Sequence, residues 1–329
     1  MALLTELRLS EAQRLASAYG LRLKSVTALA AGSVNSNFFL DTEDGQRFFG
    51  RLYEEQGLSG AQFEVRLNLA LSSAGVPVAR PLVTLGGEPC VIYGRPDGRE
   101  QPFSLYEHVE GEVVCQKRVT QGLAHSVGAA LARVHRAPLS GLSVPDGRFT
   151  IDALRTRLRR VHDSGRASLL PDAERIDELL AEIDKKRARD LPTGLIHGDL
   201  FRDNTLVSGE SVLALLDFES ACRGPFLYDL IVTILAFCYG DSLDQSLVAS
   251  MVRGYASVRA LGARELEEIE TEGRLVCARF AVTRLTDFSL RVPEGEKPLR
   301  DYRRFLERKQ AIEAGELRRA FETGLGSGA

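Results

Sequence analysis

The most constraining feature of this chain is one run of ten residues, Leu195-Ile-His-Gly-Asp-Leu-Phe-Arg-Asp-Asn204. Its apolar start predicts a strand that enters the core, and Gly198 permits a tight turn directly after that strand. Asp199 is therefore expected to project from a loop held against the core, in the position of a base.

A predicted β-hairpin follows this loop. Its first strand is expected at Thr205 to Val207, its turn at Ser208-Gly-Glu210 and its second strand at Val212 to Leu216. If the hairpin closes in this way, Asn204 before the first strand and Asp217 after the second lie close together. A carboxylate and an amide oxygen suit Mg²⁺, which prefers hard oxygen ligands and takes the rest from water and nucleotide phosphates.

The same residues match the set that phosphoryl transfer requires. That reaction uses a loop Asp that accepts the proton of the substrate hydroxyl, an Asn a few residues later, and a separate metal-binding Asp. Asp199, Asn204 and Asp217 occur in this order. An ordinary His-Gly-Asp turn, with Asp217 as a helix cap, is the alternative, but the full pattern in its strand context favours a phosphoryl-transfer site.

Composition indicates a globular protein that binds a small ligand. The chain has 329 residues, of which 44% are hydrophobic and 26% charged, enough for two lobes with cores of their own. Its net charge of -3 gives no basic field, so a nucleic acid is not expected as its main partner.

Cysteine usage and hydropathy predict a cytoplasmic protein with no membrane partner. The five cysteines are scattered and include no Cys-x-x-Cys pair, which predicts reduced, mostly buried thiols instead of disulfides or a zinc site. The N-terminus lacks the apolar block of a signal peptide. The most hydrophobic stretch, Leu230 to Tyr239, is too short to span a bilayer.

The N-terminal part of the chain predicts a small antiparallel lobe. A helix is expected from Ser10 to Tyr19 with Ser10 as its N-cap, and a second helix from Leu58 to Ser73. Five β-like segments are predicted at Ser25 to Ala30, Asn37 to Asp41, Arg47 to Tyr53, Pro81 to Thr84 and Pro89 to Tyr93.

The polar connection between the first two of these strands, Ala31-Gly-Ser-Val-Asn-Ser36, is a candidate phosphate loop. Its Gly32, Ser33 and Asn35 are expected to lie over nucleotide phosphates, to which such a loop offers backbone N–H groups. Because the loop contains a single glycine, a plain hairpin connection is the alternative.

The remainder of the chain predicts a helical lobe after an extended segment at Phe103 to Val109. Helices are expected at Val119 to Arg136, Ile151 to His162 and Asp172 to Arg187, and over most of Phe226 to Phe321, before a frayed tail from Gly324. The predicted fold is α+β and protein-kinase-like, with two lobes. Its parts are a β-rich N-lobe (1–103), a hinge (104–111) and a mostly α-helical C-lobe (112–329), with the active site and ATP in the cleft.

Several motifs resemble those of the protein-kinase-like small-molecule phosphotransferases, the family that includes aminoglycoside and choline kinases. His-Gly-Asp with an Asn five positions later is highly specific for that family, and the intervening Leu-Phe-Arg-Asp is similar to the homoserine kinases of this fold. The resemblance runs over nearly the whole chain. Its further motifs are Gly32-Ser-Val-Asn-Ser-Asn-Phe38, Leu131-Ala-Arg-Val-His135, Leu216-Asp-Phe-Glu219, Gly224-Pro-Phe-Leu-Tyr-Asp-Leu230 and Tyr302-Arg-Arg-Phe-Leu306.

The resemblance implies a role for each residue of the catalytic region. Asp199 is implied to be the catalytic aspartate, with Asn204 and Asp217 as the ligands of Mg²⁺. Asp229 is implied to brace the catalytic loop by accepting backbone N–H groups, which is compatible with its alternative role as a carboxylate at a helix N-terminus. His197 is implied to be a structural hydrogen-bonding group behind the loop.

The resemblance also implies a nucleotide site. Arg51 occupies the position of the phosphate-contacting lysine of many kinases, and Glu64 that of its helix partner. Arginine departs from the pattern because its planar fork is bulkier, yet it still offers a positive charge to the α- and β-phosphates. An exposed strand arginine is the alternative. The adenine edge is expected to bond to backbone groups near Ser104 to His108, a stretch that includes Tyr106.

The implied reaction is the ATP-dependent phosphorylation of a primary hydroxyl. L-Homoserine is the implied acceptor, and O-phospho-L-homoserine, a compound of threonine biosynthesis, the product. A homoserine pocket needs a cation for the carboxylate and an acidic group for the ammonium, and Arg202 and Glu219 are the candidates. Arg202 alternatively contacts a phosphate or braces the loop through a surface salt bridge.

Other functions stay open. Choline, ethanolamine, amino sugars, hydroxylysine and aminoglycosides are alternative acceptors, because a fold and a catalytic loop do not set the acceptor. A protein kinase is disfavoured because no Ala-Pro-Glu segment follows Asp217. A non-catalytic nucleotide-binding pseudokinase would have to explain why Asp199, Asn204 and Asp217 are all intact. Nucleotide preference and oligomeric state are likewise left open.

Overall fold

The computed structural model describes residues 5–29, 35–147, 149–293 and 296–326, in two compact units. The first unit comprises residues 1–112, 137–142 and 213–219, and the second comprises residues 113–136, 143–212 and 220–329. Gly32 and Ser33 of the predicted phosphate loop lie outside the described residues.

The first unit is built around a five-stranded antiparallel sheet. Its strands are β1 (Leu23–Leu29), β2 (Ser36–Thr42), β3 (Arg47–Leu52), β4 (Val91–Gly94) and β5 (Glu100–Glu107). They are arranged in the order β1-β2-β3-β5-β4. Two helices belong to the same unit, α1 (Leu9–Ser17) and α2 (Leu58–Ser73). The predicted antiparallel lobe is therefore confirmed.

The alternation of side chains along β3 determines the face of the sheet from which Arg51, the candidate phosphate-binding residue, projects. Phe48 and Leu52 enter an apolar core that includes residues of α1. Phe49 packs against a second core, which includes residues of α2. Because successive strand residues point to opposite faces of a sheet, Arg51 projects on the same side as Phe49, toward α2.

The prediction of the fourth strand is wrong. Pro81 to Thr84 does not form a strand, and Pro81 makes only an isolated bridge with Tyr106. The missing strand is β5, in the segment that the sequence predicted as an extended hinge. The Leu82 N–H donates to the Leu105 carbonyl at 2.8 Å. However, this segment runs beside β5 over too few residues to form a ladder of hydrogen bonds. The role of 104–111 as a hinge stays a prediction.

Helix α1 begins earlier than predicted, with Arg8 and not Ser10 as its N-cap. The Glu11 carboxylate accepts the backbone N–H of Arg8 at 2.9 Å. A glutamate three residues after the cap can satisfy this N–H group, so it competes with a serine as the signal for a helix start.

The second unit is mostly helical, as predicted. Its helices are α3 (Gln121–Arg136), α4 (Ile151–Asp163), α5 (Leu170–Lys186), α6 (Phe226–Phe237), α7 (Gln245–Ala256), α8 (Ala263–Glu267), α9 (Ile269–Asp287), α10 (Arg303–Glu313) and α11 (Glu316–Leu325). Helix α11 includes Gly324, where the sequence predicted a frayed tail. A Cβ atom at Gly324 would lie 2.8 Å from the carbonyl oxygen of Ala249, so the glycine allows α11 to pack closely on α7.

Short strands occur between residues 193 and 225. They are β6 (Thr193–Ile196), β7 (Thr205–Ser208), β8 (Ser211–Leu215) and β9 (Cys222–Pro225). Strand β6 pairs with β9 in antiparallel fashion, with Ile196 opposite Cys222. The predicted strands on either side of Gly209 are thus present, whereas the proximity of Asn204 and Asp217 stays a prediction.

None of the five cysteines forms a disulfide bond, and Cys115 is exposed while the other four are buried. The prediction that most of the cysteine thiols are buried is confirmed. Among the residues that the structure describes, no helix combines the length and the apolar character needed to cross a membrane.

Candidate active site

The loop after β6 presents Asp199 by means of a turn that requires glycine. Gly198 has a φ of +77°, and a Cβ atom there would lie 2.9 Å from the carbonyl oxygen of Ser220. A left-handed backbone and a close backbone neighbour both favour a residue without a side chain. The tight turn that the sequence predicted at Gly198 is therefore confirmed.

Asp229 holds this loop from the first turn of α6. Its Oδ2 accepts the backbone N–H of His197 and its Oδ1 that of Gly198, both at 2.7 Å. His135 Nε2 lies 3.0 Å from Oδ2. Burial alone would raise the pKa of Asp229, but the hydrogen bonds from His135 and from the backbone N–H of His197 help to lower it below its ordinary value. The predicted bonds to the loop are present, and the position at a helix N-terminus adds to them.

Two buried histidines stand behind the loop. His135 Nδ1 lies 2.7 Å from the Tyr255 hydroxyl, and burial lowers the pKa of His135, which favours the neutral ring. His197 is fully buried. The Asp199 N–H points to His197 Nδ1 at 3.4 Å, a long contact that agrees with a structural role for this ring.

The Asp199 carboxylate has a partner that the sequence did not reveal. Its Oδ1 accepts a hydrogen bond of 3.0 Å from Nη1 of Arg279, a residue of α9. The available signal was the position of Arg279 inside the apolar run Cys277-Ala-Arg-Phe-Ala-Val282. A charged side chain in a buried helix requires a partner, because an unpaired buried charge is costly.

Asn204 lies at the end of a 3₁₀ turn, Arg202–Asn204, just before β7. Its Nδ2 donates to the backbone carbonyl of Asp199 at 2.9 Å. Because a carbonyl can only accept, this bond fixes the orientation of the amide. The Asn204 side-chain oxygen is thus directed away from that carbonyl and is suited to bind a cation.

Arg202 is held by uncharged groups. Its Nη1 donates to the Gln116 side-chain oxygen at 2.6 Å and to the backbone carbonyl of Ala236. Burial lowers the pKa of Arg202. These bonds tie the loop to the end of α6 without the surface salt bridge that was one alternative, and contact with a substrate stays a prediction.

In the first unit, Arg51 forms the expected ion pair. Its Nη1 lies 2.8 Å from Glu64 Oε1, and the two side chains are 11% and 3% exposed. The exposed-strand alternative for Arg51 is therefore wrong. Burial disfavours charge on this guanidinium, but Glu64 and Asp217 outweigh that effect and hold the pKa of Arg51 above its ordinary value.

Asp217 follows β8 with a φ of +62°, in the left-handed region that few residues other than glycine adopt. Its Oδ1 lies 3.5 Å from Arg51 Nη1. That oxygen is buried and has no hydrogen-bond partner among the described residues. Burial, together with the charges of Asp217 and Glu219, raises the pKa of Glu64, whereas Arg51 opposes this shift. Cationic ligands are favoured next to such a group of acids.

The oxygen donors fit a magnesium ion better than a metal of the zinc type. Within the described ranges, no group of three or more His, Cys, Asp or Glu residues could hold a metal ion. Asp217 Oδ1 and the Asn204 amide oxygen are hard ligands, and Mg²⁺ is usually held by few protein groups because it keeps several waters and binds phosphates. Each of these two groups, one in each unit, therefore has the chemistry that this ion prefers.

The other predicted site residues are placed as follows. Asn35, at the start of β2, is buried and accepts the Glu54 N–H at 3.3 Å. Tyr106 is buried in β5, and its hydroxyl lies 3.0 Å from that of Tyr53. The ring of His108 packs edge-on against Phe39, 5.2 Å between centroids. Glu219 lies half-buried in the 3₁₀ turn Phe218–Ser220. Their roles in binding stay predictions.

Comparison with solved structures identifies the fold class. An amicoumacin kinase matches with a TM-score of 0.68 and 17% identity, covering 93% of this chain and 92% of that protein. A spectinomycin phosphotransferase matches with a TM-score of 0.67 and 13% identity, covering 97% of this chain and 99% of that protein. The antiparallel sheet followed by a mostly helical region is a protein-kinase-like fold, as predicted.

Sequence comparison identifies the family within that class. The model of the phosphotransferase enzyme family matches residues 25–266. A homoserine kinase of Neisseria meningitidis serogroup B is 33% identical over 272 residues, or 80% of this chain and 84% of that protein. A homoserine kinase of Methylobacterium radiotolerans is 32% identical over 302 residues, or 90% of each chain. The chain belongs to the phosphotransferase enzyme family.

Proposed function

We propose that this protein uses ATP to phosphorylate the primary hydroxyl of L-homoserine, giving O-phospho-L-homoserine for threonine biosynthesis. The observation that carries the proposal is the match to relatives named homoserine kinase over 80% to 90% of this chain. A match of that extent includes the catalytic region and the helices around it.

ATP is proposed as the phosphoryl donor. The solved amicoumacin kinase contains AMP-PNP, and the spectinomycin phosphotransferase contains ADP. In this chain, Arg51 is proposed to contact the α- and β-phosphates, with Glu64 fixing its side chain. The Leu105 carbonyl and the Glu107 N–H are already bonded to residues 80–82. Adenine contacts are therefore proposed at backbone groups from His108 onward.

Asn204 and Asp217 are proposed to hold Mg²⁺ through their side-chain oxygens. The support for Asp217 is its buried oxygen without a hydrogen-bond partner among the described residues. The support for Asn204 is the bond from its Nδ2 to the Asp199 carbonyl, which leaves the amide oxygen for the ion. When bound, the ion neutralises negative charge on the transferring phosphoryl group.

Asp199 is proposed to orient the acceptor hydroxyl and take its proton. The hydroxyl oxygen forms a bond to the γ-phosphorus, the bond from phosphorus to the ADP oxygen breaks, and the proton moves to the Asp199 carboxylate. Asp229 maintains the loop through its two backbone hydrogen bonds. Glu219 is proposed to face the ammonium group of the acceptor.

The test is ADP release by the purified chain, with ATP, Mg²⁺ and a panel of hydroxyl acceptors. L-Homoserine is expected to give the highest kcat/KM. Asp199→Asn is expected to lower kcat by about 10²-fold or more. Preference for choline, ethanolamine or an aminoglycoside would make the acceptor wrong but leave the kinase class intact. Full turnover by Asp199→Asn would make the proposed base wrong.

A further inference from the structure

A buried guanidinium lies directly on the proposed base. Arg279 Nη1 is 3.0 Å from Asp199 Oδ1, and the Arg279 side chain is 4% exposed whereas that of Asp199 is 34% exposed. Its guanidinium carbon lies 3.7 Å from the centroid of the Phe280 ring and 4.1 Å from that of Phe149. Contacts with two aromatic rings restrict the guanidinium plane, so this cation is preorganised beside a carboxylate that solvent can reach.

Two donors near this pair lack an acceptor. Arg279 Nε and the Tyr228 hydroxyl are buried, and neither has a hydrogen-bond partner in the described part of the chain. Tyr228 lies on α6, which packs against α9, the helix of Arg279, and burial raises the pKa of its hydroxyl. Buried donors are normally satisfied in folded proteins. A ligand with acceptor oxygens would satisfy both.

The same helix carries a second cation, Arg284, whose Nη1 donates to the Asp301 carbonyl at 3.1 Å. Burial and the positive charges of other arginines lower the pKa of Arg284 to about 10, whereas Asp199 opposes this shift. The arginines concerned are Arg308, Arg300 and Arg304. A guanidinium under such repulsion is stabilised by an additional anion nearby. Helix α9 therefore carries two guanidinium groups that are at least partly withdrawn from solvent, Arg279 and Arg284.

We propose that Arg279 binds the carboxylate of the acceptor along its Nε edge while its Nη1 holds Asp199, with the Tyr228 hydroxyl as a second donor. The inference rests on the proposed function and deepens it, because it restricts the acceptors to hydroxyl-bearing amino acids and excludes simple amino alcohols. A guanidinium has five N–H groups in a fixed fork, so one group can hold two carboxylates in a defined relation. The base and the acceptor are thereby aligned by the same side chain.

The test compares two acceptors that differ only in the carboxylate, L-homoserine and 3-amino-1-propanol. Arg279→Gln is expected to lower kcat/KM for homoserine by about 10- to 100-fold, mainly through KM, because a charge-assisted hydrogen bond is lost. Its kcat/KM for aminopropanol is expected to fall by at least about 3-fold less than that for homoserine, and through kcat, because Nη1 no longer holds Asp199 but no carboxylate contact is lost. Tyr228→Phe is expected to give a smaller loss, which is larger for homoserine than for aminopropanol.

Arg274→Gln is the matched control, since Arg274 lies on the same helix and pairs with Glu182 at 2.7 Å and Glu313 at 3.2 Å. It is expected to leave the ratio of the two acceptors unchanged. Thermal melting establishes that each variant is folded. If Arg279→Gln does not fold, Arg279→Lys, which keeps the charge but loses the fork, and Tyr228→Phe decide the matter through the same ratio.

Each outcome bears on a different proposal. Equal losses on both acceptors, or none on either, overturn the carboxylate role of Arg279 and leave the homoserine kinase proposal standing. A wild-type protein that phosphorylates another hydroxyl-bearing amino acid but not homoserine overturns the acceptor identity. The role of Arg279 then stands if Arg279→Gln lowers kcat/KM more for that amino acid than for the amino alcohol that lacks its carboxylate, and is overturned if the two losses are equal. A wild-type protein that prefers aminopropanol overturns both.

Discussion

Asp217 in the first unit and Asp229 in the second use a carboxylate in opposite ways. Both oxygens of Asp229 accept hydrogen bonds from the chain itself, two of them from the catalytic loop. Asp217 has a left-handed backbone and a buried Oδ1 without a hydrogen-bond partner among the described residues. A satisfied acid stabilises the fold, whereas an unsatisfied one next to a buried arginine retains its capacity for a ligand.

The largest expected effect is the loss of activity in Asp217→Asn. Removing the proposed metal carboxylate is expected to lower kcat by about 10²-fold or more, because charge on the phosphoryl group is no longer neutralised. The melting temperature is expected to stay within a few degrees of the wild type, since no hydrogen bond within the described residues is broken at Oδ1. Kinetics and thermal melting measure both effects.

Asp97→Asn is the control for that variant. Asp97 belongs to the first unit and forms an exposed ion pair with Arg99 at 2.7 Å, and its loss should leave turnover unchanged. An Asp217→Asn protein that keeps more than about a tenth of the wild-type kcat would remove Asp217 from the proposed metal site.

Asp217→Asn is expected to lose activity while keeping its stability. Asp229→Asn, in contrast, should lose much of its stability. An amide supplies only one acceptor oxygen in place of two, so a loop N–H or His135 loses its partner inside the fold. The expected cost is about 2 to 4 kcal/mol, or a fall in the melting temperature of about 5 °C or more. Asp177→Asn, which breaks the partly exposed pair with Arg155, should cost less than about 1 kcal/mol. Equal melting temperatures for the two variants would contradict the bracing role.

Because of the buried pair of His135 and Asp229, we also expect the stability of the fold to fall in acid. The pKa of His135 is lowered from 6.5, so the unfolded chain binds a proton that the folded chain does not. Stability is therefore complete above pH 6.5 and falls by about 1.4 kcal/mol per pH unit below it, until the folded pKa is reached. Because the pKa of Asp229 is lowered from 3.8, a second loss begins below that pH.

Unfolding in urea between pH 8 and pH 3 measures both losses. His135→Gln should remove the slope just below pH 6.5 while keeping hydrogen-bonding groups at the position. An unchanged slope in that variant would show that other groups dominate the acid response.

A smaller effect is expected from Gly198→Ala, which tests the turn that presents Asp199. The variant combines a left-handed φ of +77° with a Cβ atom 2.9 Å from a backbone oxygen. Gly209→Ala is matched for the first effect only, since Gly209 has a φ of +58° and nothing within 4 Å of its Cβ position. The backbone term alone costs about 1 kcal/mol. Gly198→Ala should lose more stability than Gly209→Ala and should also lose activity. Equal losses of stability in the two variants would show that the contact with Ser220 is easily relieved.

The turn that presents Asp199 was predictable from the sequence because its determinants are local. Gly198 and Asp199 follow a short apolar strand, and the motif directly indicates a turn with a projecting carboxylate. Strand β5 was missed because its pairing with β3 joins segments about fifty residues apart, which no local pattern reveals. Arg279 was missed for the same reason, since helical periodicity placed it on α9 without indicating that Asp199, 80 residues earlier, would be its partner.

The smallest kinetic effect is expected from Arg202→Ala. Arg202 and Arg279 are both arginines of the second unit, but Arg202 donates to Gln116 and to the Ala236 carbonyl, whereas Arg279 donates to Asp199. Removing Arg202 should change KM for homoserine less than about 3-fold, while the unpaired carbonyl at the end of α6 costs about 1 kcal/mol of stability. A tenfold rise in KM at an unchanged melting temperature would instead assign the binding of the acceptor carboxylate to Arg202. In that case the preference of this variant for homoserine over aminopropanol would also be strongly reduced.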